Sequence, residues 1–86
     1  MADQLRRACV SVAANIAEGH ARSPAEFVRY LKIARGSLAE LDTIIVMAER
    51  IGYFTEAETC DVHDRMIIVR KIIQGLIRSN ESSIGN

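Results

Sequence analysis

Apolar residues recur along this chain at alternating steps of four and three, the spacing that lines one face of a helix. Leu5, Cys9, Val12 and Ile16 form a first stripe, and Phe27, Leu31, Ala34, Leu38, Leu41, Ile45 and Ala48 a second, longer one. Val62, Met66, Val69, Ile73 and Leu76 form a third. The pattern predicts an all-α fold, with helices over about 3–18, 24–51 and 56–78, arranged as an up-and-down antiparallel bundle in one domain over 1–86. Residues 80–86 are polar and are expected to be a frayed tail.

End signals agree with these limits. Gly19 follows the first stripe and is expected to supply a left-handed stop. Ser23-Pro24-Ala25-Glu26 reads as a capping box: the serine oxygen accepts from the Glu26 amide, the glutamate answers back, and proline occupies the first turn. Thr55 with Glu58 repeats the device, and Gly52 caps the end of the second helix. That helix would be about 40 Å long at 1.5 Å per residue. A rival reading breaks it at Gly36, where Ser37-Leu38-Ala39-Glu40 is itself a capping box. The heptad phase is the same on both sides of Gly36, which favours continuity and leaves a small residue where another backbone could approach.

There is more apolar surface than one stripe per helix. Helix two adds Ile33, Ile44, Met47 and Ile51, and helix three adds Ile67, Ile68, Ile72 and Ile77. An 86-residue chain buries only about 60–65% of its unfolded surface. Exposed apolar patches of a few hundred Å² mark interfaces, so self-association is the expected remedy; a monomeric bundle with some apolar surface is the plainer alternative. Helix one carries a polar line of Ser11, Asn15 and Glu18 among alanines, either solvated or buried against a helix with Arg22 or Arg35 as partners. Cys9 and Cys60 lie in helical patterns and are expected to be reduced, buried thiols.

The chain carries no enzymatic pattern. Ser11, Ser23 and Ser37 have no histidine placed to activate them. Glu40 with Asp42, and Glu56 with Glu58, stand two apart and do not face each other on a helix. No glycine-rich phosphate loop is present. Cys60, Asp61, His63 and Asp64 match no metal-site spacing, and His20 has no second ligand nearby, so no metal, cofactor or small-molecule substrate is expected. The stretch Ala8–Ala17 after Arg6 and Arg7 lacks a cleavage site, and no run approaches membrane-spanning length, which makes the cytoplasm the expected address.

Net charge is zero, so any contact with nucleic acid would have to come from how charge is distributed. Nine of the eleven basic residues are arginine, suited to bidentate pairing with carboxylate or phosphate. Arg22, Arg29, Lys32 and Arg35 are spaced to form a basic strip on helix two, with Arg65, Arg70 and Lys71 a looser second group. Glu26, Glu40 and Glu49 interleave as salt-bridge partners, and only Phe27, Tyr30, Tyr53 and Phe54 offer rings for stacking.

The stretch LRRACVSVAANIAEGHARSPAEFVRYLKIARGSLAEL resembles the signature of the four-helix-bundle family first recognised as 23S rRNA intervening-sequence proteins. It combines an S-x-x-x-N-I-A-E-G helix end, an arginine after the turn, E-F-x-R-[FY]-L, and A-x-G-S-L-x-E-L. Weaker similarity covers roughly Gln4 to Arg78. The resemblance implies ring-shaped homopentamers of up-and-down bundles, with relatives that serve diversity-generating retroelements and bind reverse transcriptase and RNA. Ser11, Asn15, Glu18, Gly19, Arg22, Phe27, Leu31, Gly36, Ser37, Glu40 and Leu41 match its motif as structural or assembly residues, none of them catalytic. The family pattern has a further helix before the segment that begins here at Met1. Either the chain is a short form or fragment, or another chain fills that groove. Its neutral charge also departs from the basic accessory relatives.

Overall fold

The computed structural model describes residues 1–84 and consists of three helices, α1 (Ala2–His20), α2 (Pro24–Arg50) and α3 (Glu56–Ile84). Short connections fold each helix back along its predecessor. Between α2 and α3 the direction is visible in the side-chain links Lys32–Glu81, Arg35–Gln74 and Asp42–His63, whose numbers rise on one helix as they fall on the other.

Ser23 caps α2 by accepting from the Glu26 amide at 3.3 Å, with Pro24 in the first turn. Glu26 does not answer back. Its carboxylate turns instead to Arg22 and Arg29, because two guanidiniums within one turn compete better for it than a single solvated amide. The box at α3 is complete: Thr55 N donates to Glu58 Oε1 at 2.9 Å, and Glu58 N donates to Thr55 Oγ1 at 3.1 Å. Helix α2 runs unbroken through Gly36 to Arg50, and just beyond it the φ of +82° at Gly52 allows Tyr53 N to donate to Ala48 O and Gly52 N to Glu49 O. This paired closure needs a left-handed residue, and glycine adopts that conformation at least cost.

Three expectations are corrected. Gly19 is not a left-handed stop: it lies inside α1, which runs to His20, and Gly52 has the only positive φ among the described residues. Helix α3 continues past Arg78 to Ile84, so residues 79–84 are helical rather than frayed; Gly85 and Asn86 lie outside the described residues. The extension is held by an ion pair from Glu81 to Lys32 at 3.7 Å and by Asn80, half-buried, donating to Leu76 O at 2.8 Å. The cysteines are free, but both are exposed. Helix α1 is rotated so that Ala8, Val12 and Gly19 are buried and Cys9 stands to one side, because small residues let α1 and α2 approach closely.

The core forms along α2. Leu31, Ala34 and Ala48 are fully buried there, joined by Ile73 and Ile77 of α3. Ile77 therefore belongs to the core and not to the surplus. Helices α1 and α3 both lie against α2, yet among the described residues no α-carbon of one comes within 8 Å of the other. The molecule is a bent layer measuring 49 × 21 × 14 Å, with one side open.

Candidate functional site

Three surfaces bring the motif residues together. The first is the corner where α1 turns into α2. Gly19 packs under Phe27 and Tyr30 so tightly that a β-carbon on it would stand 2.6 Å from Tyr30 Cβ. His20 meets Phe27 edge to face at 5.7 Å. Arg22 donates to Glu18 and Glu26, and both Arg22 and Arg29 lie over the Tyr30 ring, at 5.2 and 4.9 Å. The hydrogen bond to Glu18, followed by the influence of Tyr30, holds the Arg22 guanidinium above its ordinary pKa. Glu18, Gly19, Arg22 and Phe27 thus share one place, and its chemistry is that of a structural clasp.

The second is the polar line of α1 against α2. The hydroxyls of Ser11 and Ser37 meet at 2.8 Å, and Asn15 Nδ2 donates to Ser11 O at 2.7 Å. All three residues are half-buried, while Glu18 is exposed. Ser37 therefore serves as an interhelical contact, and Arg35 reaches Gln74 of α3 instead of this line. Outside it, a shallow cavity of about 540 Å³ is floored by Ala8, Ile44 and Met47, with Arg7 and Glu40 on its rim. Gly36 has open space where its side chain would be, so the close approach expected there is not made within the chain.

The third surface is the open side. Cys9 and Val12 of α1, Leu38 and Leu41 of α2, and Val62, Met66 and Val69 of α3, with Arg65 beside them, line a largely apolar groove of about 190 Å³. On α3, Ile68 and Ile72 are 59% and 56% exposed; Met47 and Ile51 of α2, which do not line this groove, are 56% and 68% exposed. Of the motif residues, Leu41 lines this groove, and Leu31 is fully buried in the core.

The arginine strip does not form one surface. Arg22 and Arg29 turn to the corner and are matched by Glu18 and Glu26, whereas Lys32 and Arg35 turn to α3. On that side a cavity of about 400 Å³ is lined by Arg35, Asp42, His63, Met66, Ile67 and Arg70. His63 Nε2 is shut off from solvent and lies 2.7 Å from Asp42 Oδ1, out of line for a hydrogen bond. Sequence reasoning missed this cavity because its basic residues come from two helices 35 residues apart; only the looser grouping of Arg70 and Lys71 hinted at it. Among the described residues no three His, Cys, Asp or Glu side chains converge as metal ligands. Nor is any described helix long and apolar enough to cross a membrane.

A sequence model of the family described as 23S rRNA-intervening sequence protein matches residues 1–75. No curated protein matches the chain.

Proposed function

Because this chain belongs to the 23S rRNA-intervening sequence protein family, we propose that it is a non-enzymatic, cytoplasmic scaffold that assembles from several copies of itself, as a ring, and presents a protein or RNA partner on the assembled surface. One observation carries this reading: α1 and α3 flank α2 with no α-carbons of the two within 8 Å among the described residues, which leaves an apolar groove between them and isoleucines of α3 open on a molecule too small to conceal them. Neighbouring copies that lay their own apolar flanks into that groove would complete the layer as a bundle. The motif supports the division of labour, because the corner around Gly19 and Arg22 and the Ser11–Ser37 contact fix the angle between α1 and α2 and so the shape of the groove.

The alternative, an RNA-binding factor using Arg22, Arg29, Lys32 and Arg35 as one strip, is less well supported, since three of these four cations already face carboxylates. Light scattering at micromolar concentration tests the scaffold. The expected mass is a multiple of the 9.5 kDa chain, and a clean monomer would refute the reading.

A further inference from the structure

The charge of this molecule is balanced overall but not locally. Among the described residues, acidic partners stand beside Arg6, Arg22, Arg29, Lys32 and Arg65. None stands beside the other six; Arg7 and Arg50 lie apart, but Arg35, Arg70, Lys71 and Arg78 gather on one side of the α2–α3 pair. Arg35 and Arg70 line the same cavity of about 400 Å³. Arg70, Lys71, Gln74 and Arg78 line an adjoining depression of about 380 Å³. The two hollows share Arg70, and they are also joined by Gln74, whose Oε1 accepts from Arg35 at 2.8 Å and so leaves its amide hydrogens to donate elsewhere.

Two guanidiniums from different helices facing one hollow repel each other unless an anion lies between them. The cavity has one carboxylate, Asp42, and His63 already sits against it at 2.7 Å. The walls between the charges are apolar, formed by Leu38, Met66 and Ile67, so few protein dipoles stand between them to offset the charge. Arginine forks fit the paired oxygens of phosphate, and Arg70 to Arg78 extends the row about 12 Å along α3 at 1.5 Å per residue. One bound ion would not need that length; a ligand with successive phosphates would.

From this we infer that the α2–α3 face is a phosphate-binding groove, with Arg35 and Arg70 gripping one phosphate and Lys71, Gln74 and Arg78 following the next. All of its residues come from one chain, so it stands or falls separately from self-assembly.

The test uses the full chain with two probes at low ionic strength, a labelled single-stranded RNA oligonucleotide and inorganic pyrophosphate. Arg70→Gln with Arg78→Gln should weaken binding at least tenfold. It should also flatten the salt dependence of RNA binding by about 1.4 in log–log slope, at roughly 0.7 per lost contact. Arg50→Gln, at the far end of α2, should change neither. Circular dichroism of the double variant checks that its helices persist, and Arg70→Lys with Arg78→Lys should restore part of the affinity. Binding of RNA alone would assign the groove to a nucleic-acid backbone, and binding of pyrophosphate alone to a small phosphorylated molecule. If neither probe binds, or if Arg50→Gln loses as much as the double variant, the inference is overturned.

Discussion

Gly19 of α1 lies directly beneath Tyr30 of α2, with room for a hydrogen but not for a methyl: an added β-carbon would be 2.6 Å from Tyr30 Cβ and 2.9 Å from Phe27 Cδ1. The glycine is therefore needed for closeness, since its backbone is helical and any residue could adopt it.

Gly19→Ala is accordingly expected to destabilise the chain despite alanine's better helix propensity. Inserting a methyl against a β-carbon forces the helices apart, at a typical cost of about 1–3 kcal/mol for overpacking. The midpoint of thermal unfolding should fall by about 4 °C or more for a domain of this size. An unchanged or higher midpoint would show that α1 can shift at no cost, and the close corner would lose its significance.

Gly36→Ala should behave in the opposite way. Nothing lies within 4 Å of the added carbon, and the position is mid-helix, so the isolated chain should gain about 0.5–1 kcal/mol. If a neighbouring copy approaches at Gly36, the same methyl should lower the assembled mass seen by light scattering. Comparing chemical denaturation at high dilution with mass at high concentration separates the two effects.

Much of the fold was legible in the four-three spacing, because Ser23, Thr55 and Gly52 act locally and their partners lie within a few residues. The role of Gly19 was not, since a glycine at a helix end reads alike whether it serves a left-handed turn or a neighbouring helix; only the position of Tyr30 distinguishes them. The length of α3 was not legible either: its last turns meet α2 through the Lys32–Glu81 pair, which joins residues 49 apart, a separation that periodicity cannot see. The cysteines were misplaced for a related reason. Ala8 and Cys9 are adjacent, and which of them faces α2 depends on how closely the helices approach. The Ser11–Ser37 contact and the α2–α3 cavity are likewise products of packing between helices.

Ile68 and Ile72 should matter for assembly and not for the fold of one chain. Both are more than half exposed, and a substitution at such a place usually changes stability by no more than about 0.5 kcal/mol. Ile68→Lys with Ile72→Lys should leave the helical content intact while shifting the light-scattering mass toward 9.5 kDa. Loss of helix in the dilute monomer would instead place these residues in the chain's own core.

The two thiols can report which face the copies share. Cys9 lines the apolar groove on the open side, whereas Cys60 lies near the start of α3 and is not among the groove residues. Both are exposed in the single chain, so at high dilution a small alkylating reagent should modify both. If copies seal the groove, raising the concentration into the assembled range should slow alkylation of Cys9 while Cys60 continues to react, and peptide mass spectrometry can follow each site separately. Cys60 thus serves as an internal control for reagent activity. Equal protection of both thiols would indicate a broader interface along α1 and α3. Equal reactivity in a protein that does assemble would move the contact to the outer face of α2 around Ile33, Gly36 and Met47, since that face can be covered without hiding Cys9.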